Sequence, residues 1–158
     1  MDQDLVNEKL RPLQNQIREA MQLAMQRSLS NVASKESLNS EDVDWIMRLC
    51  EELKLRLNNL IPNRKDLHVE LNAALDSQLL KQMLEHSALD KEDFQNMVHV
   101  IYSRLKMLCA PVQDRNVREQ EAKILQQDSF GQAVSMLILE SNKIIDQIED
   151  YANNLQLS

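Results

Sequence analysis

Glycine is nearly absent from this chain of 158 residues: Gly131 stands alone. Loops that cradle phosphate need several glycines, because the backbone must approach the anion closely and adopt positive φ. A dinucleotide-binding or P-loop site is therefore excluded, since both rest on glycine-rich turns. Aromatic residues make up only 3% of the chain, which removes much of what favours strands. Proline is confined to Pro12, Pro62 and Pro111. Positive charge is also short: 18 basic residues face 25 acidic ones, a net charge of −7. The basic residues are spread evenly, and Arg64-Lys65 and Arg115/Arg118 form only sparse groups. Nucleic-acid binding draws on clustered Lys and Arg, so no nucleic-acid partner is expected.

Long apolar runs are missing too. The longest, Met136-Leu137-Ile138-Leu139, is far short of the ~20 residues that span a bilayer. The start, Met1-Asp2-Gln3-Asp4, lacks the basic region and apolar stretch of a signal peptide. Cys50 and Cys109 fall on apolar stripes and read as buried thiols of a reducing compartment. A chain of this length buries enough surface to hold a core without disulfides or a metal. The expectation is a cytoplasmic protein with no membrane span, forming a single domain over 1–158.

What is present is Leu, Gln, Glu, Lys, Met and Ala, all good helix formers. Their spacing predicts about six helices. Helix one covers 5–29 with the stripe Val6, Leu10, Leu13, Ile17, Met21, Ala24; Pro12 places the start of its main part near Arg11. The polar stretch 30–40 reads as a loop, completing an N-terminal unit of 1–40. Helix two spans 41–60 with Ser40 as N-cap and Val43, Ile46, Met47, Cys50, Leu53, Leu57 and Leu60 at helical spacing. Helix three spans 65–86. Helix four follows Asp90 as cap, with Leu89 stapling onto Phe94, and carries Phe94, Met97, Val98, Ile101, Tyr102, Leu105 and Leu108. Pro111 ends it. Asp114 caps a short helix over 115–126, and Ser129 with Gln132 opens a sixth helix that runs to about 154. Short connections make neighbours mostly antiparallel. The expected product is an all-α compact bundle; the stripes are too wide and too interrupted for strict coiled-coil heptads.

Chemistry is hard to place on this frame. His68, His86 and His99 supply no Glu-x-x-His or His-Glu-x-x-His pattern, so di-iron and zincin ligand sets are missing. His99 beside Val98 reads as a satisfied structural histidine. Cys109 sits near a helix C-terminus, where the dipole disfavours a thiolate. No catalytic, cofactor-binding or metal residue is assigned, no cofactor is expected, and no small-molecule substrate is identified. Methionines at helical spacing, Met21, Met25, Met47, Met83, Met97 and Met136, read as core fillers, with an adaptable partner groove as the alternative.

Helix six carries the more specific signal. From Ala133 to Leu139 it is apolar nearly all round. Such a helix is either central or buries its second face outside the chain. The expectation is an interface with a protein partner or a second copy at Met136, Ile138 and Leu139.

The middle of the chain resembles a known family. The runs Leu60-Ile61-Pro62-Asn63-Arg64, Ala74-Leu75-Asp76, Leu79-Leu80-Lys81-Gln82 and Glu85-His86-Ser87-Ala88-Leu89-Asp90 are similar to the T-complex protein 11 family. So is Leu108-Cys109-Ala110-Pro111-Val112-Gln113-Asp114 with Val117, followed later by Asp150-Tyr151-Ala152-Asn153. The resemblance covers roughly 42–154, densest in the middle, within a family-like helical region of 41–158. It implies an all-α fold, no catalytic residue, and a link to cyclic-AMP and protein-kinase-A signalling and to sperm function through protein partners. Family members are usually longer, so the resemblance implies a shortened, minimal or virally acquired version, with an apolar face left on helix six. The leading reading is a non-enzymatic helical interaction or regulatory protein. A structural subunit of a viral particle or cytoskeletal assembly is the second reading, and an enzyme with an acid–base site across helices is the third.

Overall fold

The computed structural model describes residues 2–35, 38–86 and 91–157. Among them there is no strand, and the elements are α1 (Asp2–Ala33), α2 (Ser40–Leu60), α3 (Lys65–Ala74), α4 (Ser77–Glu85), α5 (Lys91–Leu108), a 3-10 turn (Pro111–Gln113), α6 (Asp114–Leu125) and α7 (Phe130–Leu157). The all-α bundle expected from composition is what forms.

Several boundaries differ from the sequence reading, each for a local reason. α1 does not begin near Arg11 but runs unbroken through Pro12. It also continues to Ala33, because Leu29 and Val32 are buried and hold its last turns on the body; the loop shrinks accordingly. Asn39, not Ser40, caps α2. Its side chain accepts from the Asp42 N–H at 2.8 Å, and the Asp42 carboxylate accepts from the Asn39 N–H at 3.2 Å. That reciprocal pair satisfies two otherwise orphaned donors. Lys35 anchors the same carboxylate at 2.8 Å.

The expected helix three is two helices. Asp76 accepts from the N–H groups of Gln78 and Leu79 at 2.9 and 3.3 Å, which starts α4 afresh. The cap at Asp90 and staple at Leu89 lie outside the described residues. Asp114 does not cap α6. The 3-10 turn feeds directly into α6, so Gln113 takes the cap position without a side-chain bond. The Asp114 carboxylate instead accepts from Arg118 at 2.8 Å.

α7 is the centre of the bundle, packed against α1, α2, α5 and α6. Its Val134, Leu137, Ile138, Ile144 and Ile145 are buried, as are Val43, Ile46, Leu53 and Leu57 of α2 and Phe94, Val98, Ile101 and Leu105 of α5. Phe94 and Phe130 meet edge to face with ring centres 6.0 Å apart. Near the same end of α7, the buried Ser135 hydroxyl donates to the Leu29 carbonyl at 3.1 Å. With Arg18 meeting Asp150 at the far end, α1 runs antiparallel to α7.

Candidate functional site

The structure places the three expected interface residues on the inside. Ile138 is wholly buried at 0% exposure, and Met136 and Leu139 are half-buried against the core. Four neighbouring helices pack on α7 and cover most of its apolar surface, with Met136 and Leu139 left partly exposed. The free apolar surface lies instead on α1.

Every described residue from 5 to 17 is exposed. Val6, Leu10, Leu13, Ile17 and Met21 are 41–66% exposed, although they share one face. At 100° per residue they fall within an arc of about 80°. An uncovered stripe of large aliphatic side chains differs from the singly scattered exposed apolar residues of an ordinary protein surface. The sequence showed the stripe but not its fate, since amphipathicity says that a face seeks burial and not what buries it.

The stripe is uncovered because α1 meets the body through a different face. About 120° further round the helix, polar side chains clasp α7. Arg18 donates to both oxygens of Asp150 at 2.7 and 2.8 Å, and the pairing holds its guanidinium above the usual arginine range. Gln22 donates to Asp146. Arg56 of α2 joins the same carboxylate at 2.7 Å, reaches Glu149 at 3.2 Å and donates to Asn142 at 2.7 Å. The clasp thus knits α1, α2 and α7. Beside it runs a groove of about 330 Å³, lined on one side by Ile17, Met21 and Met25 and on the other by Glu52 and Arg56. Arg56 on its charged wall is already paired with Asp146 and Glu149, while Ile17, Met21 and Met25 make its α1 wall largely apolar.

A second, smaller feature unites the two most telling sequence elements. Cys109, Ala110 and Val112 of the turn and Ile144, Ile148 and Tyr151 of α7 line an apolar notch of about 100 Å³. That volume suits one side chain, not a small-molecule ligand of the usual 300–1,000 Å³ class. Val112 stands at its lip, 83% exposed. The turn has a structural role, as Pro111 opens it, but Val112 is outward-facing and had no signal beyond its setting. Burial pushes the Cys109 thiol up, with Asp114 adding to the shift, the reverse of the shift that activates a nucleophilic cysteine.

The most enzyme-like cluster joins α5 and α6. Glu121 pairs with Lys106 at 2.5 Å and lies 3.8 Å from the exposed ring of His99. His99 is therefore a surface group, not the packed one expected, because it points away from Val98 and the core. His68 is the satisfied histidine: its Nε2 lies 2.8 Å from the Ile61 carbonyl. Neither the groove nor the notch opens onto Glu121. Among the described residues no group of three or more His, Cys, Asp or Glu side chains could hold a metal, and no helix is long and apolar enough to cross a membrane.

Comparison with known proteins fits this helical, site-poor picture. The human T-complex protein 11 homolog is 34% identical over 90 residues, covering 55% of this chain and 17% of its own length. The human T-complex protein 11-like X-linked proteins 1 and 2 are each 37% identical over 90 residues, with the same coverage. The chain thus spans about a sixth of the length of these relatives. No solved structure matches it. The family model of T-complex protein 11 matches residues 1–156, including the whole of α1 and the turn at Pro111. The chain belongs to the T-complex protein 11 family.

Proposed function

We propose that this chain is a non-catalytic helical interaction protein of the cytoplasm, and that its working surface is the aliphatic stripe of α1 with the adjoining groove. One observation carries the reading: Val6, Leu10, Leu13, Ile17 and Met21 share a face and all are at least 41% exposed. Burying a large aliphatic side chain is worth about 1.5–3 kcal/mol. A stripe left in water along four turns is therefore a standing source of binding energy.

Membership of the family suggests partners in cyclic-AMP and protein-kinase-A signalling. The test uses the intact chain and its Leu13→Glu/Ile17→Glu variant as immobilised baits, with purified regulatory and catalytic subunits of protein kinase A as prey, followed by extract of the native source. Partners held by the wild type and lost by the variant, with unchanged circular dichroism, are the expected result. Equal capture by both baits would show that the stripe is not the working surface. Retention of neither kinase subunit would refute the signalling link alone.

A further inference from the structure

The spacing of the stripe says more than that it is sticky. Val6, Leu10, Leu13 and Ile17 follow one another at intervals of four, three and four residues, the repeat by which two helices interlock side chains along a narrow seam. Two copies of this segment laid antiparallel bring Val6 of one opposite Ile17 of the other, and Leu10 opposite Leu13. These four residues form layers that are aliphatic throughout, and Met21 lies beyond them. Lys9, Gln14 and Gln16 flank the seam, so no like charges meet across it. Pro12 lies on the far side of the helix, about 135° from the stripe, where its ring does not obstruct a neighbour.

We infer that the occupant of the α1 stripe is a second copy of this chain, paired antiparallel through residues 6–17. This rests on the reading of the stripe as an interaction surface and names its partner. The surrounding geometry selects the direction. Ile17 and Met21 sit in the groove whose opposite wall is Glu52 and Arg56 of α2. In a parallel pair each copy's Ile17 faces the other's, and both α2 walls compete for the same space. In the antiparallel pair the slim Val6 end of one helix enters that groove, and the two bodies stand at opposite ends. The area is sufficient. Four aliphatic side chains at about half exposure offer about 360 Å² per copy; with about 60% of an interface apolar, the whole contact is about 600 Å² per copy. That is about 1,200 Å² over both copies, the lower end of the specific interface range.

The test begins with light scattering and sedimentation equilibrium on the purified full chain from 5 to 200 µM. The expected mass is about twice 18.4 kDa at the upper end. Leu10→Asp/Ile17→Asp is expected to raise the dissociation constant at least 100-fold with unchanged circular dichroism, since both residues are exposed. Direction is read from a spin label on Gln26→Cys in a Cys109→Ser background. The antiparallel pair separates the labels by about 45 Å along the axis, whereas a distance under about 25 Å indicates a parallel pair and overturns the arrangement. A wild type that stays monomeric at 200 µM overturns self-pairing. If that monomer still loses its captured partners on Leu13→Glu/Ile17→Glu substitution, the interaction surface stands and only the identity of its occupant is wrong.

Discussion

Replacing Asp146 by alanine tests how α1 is held. The carboxylate is 13% exposed and receives Arg56 at 2.7 Å, Gln22, and Arg18 more distantly at 3.9 Å. Removing one partner from a buried ion pair costs about 3–5 kcal/mol when the other charge is orphaned. Here Arg56 is 28% exposed and keeps Asn142 at 2.7 Å and Glu149 at 3.2 Å, so the full penalty does not arise. What is lost is one charge-assisted bond from Arg56 and one bond from a half-buried Gln22. That amounts to about 2 kcal/mol. For a chain of this size the melting temperature should fall by about 4–8 °C. Urea unfolding of Asp146→Ala, Arg56→Met and the double variant should give a coupling energy of about 1 kcal/mol or more. Hydrogen exchange should show residues 18–29 of α1 losing protection ahead of α5. A loss under about 0.5 kcal/mol with no coupling would show that the clasp is geometry without weight, and that Leu29 and Val32 alone retain the helix.

Leu29, 1% exposed beneath the Ser135 bond, should cost about 3 kcal/mol on truncation to alanine, read by urea midpoint, and should release α1 more completely than Asp146→Ala does. The Lys35 ammonium holds the Asp42 carboxyl below its ordinary value of 3.8. Its contribution is therefore full above that value and is lost as pH falls through the depressed pKa; carbon-detected titration should place the Asp42 midpoint below 3.8, and a midpoint at or above it refutes the capping geometry. Arg64 likewise lowers Asp66 to about 2, which the same titration reads. Burial pushes the Cys50 thiol up to about 12, so at pH 8 a thiol reagent should modify Cys109 in the native chain and reach Cys50 only on unfolding; rapid reaction of both would contradict the packing of α2.

Much of the bundle can be read from side-chain period alone. Val43, Ile46, Cys50, Leu53 and Leu57 are buried as their spacing predicts, and so are Phe94, Met97, Val98, Ile101 and Leu105. The break at Asp76 escaped because the apolar stripe continues across it through Leu75 and Leu79, and a lone capping carboxylate competes poorly for notice against that rhythm. The candidate site was legible in composition and illegible in location. Two helices carried surplus apolar surface, one at Ala133–Leu139 and one at Val6–Met21. Which would be covered depended on long-range packing: α7 runs through the middle of four helices, whereas α1 meets the body through its second half, at Arg18, Gln22, Met25, Leu29, Val32 and Ala33.

The bond from Arg18 to Asp150 is the outermost tie between α1 and the rest of the chain, and it sits in water, with side chains 30% and 52% exposed. Exposed pairs of this kind weaken as dissolved ions shorten the reach of charge to about 8 Å at physiological ionic strength. The first four turns of α1 extend beyond this tie as one unbroken helix. How firmly they are steadied against α7 is therefore set by the electrolyte as well as by the fold, tighter in dilute buffer and looser in concentrated salt.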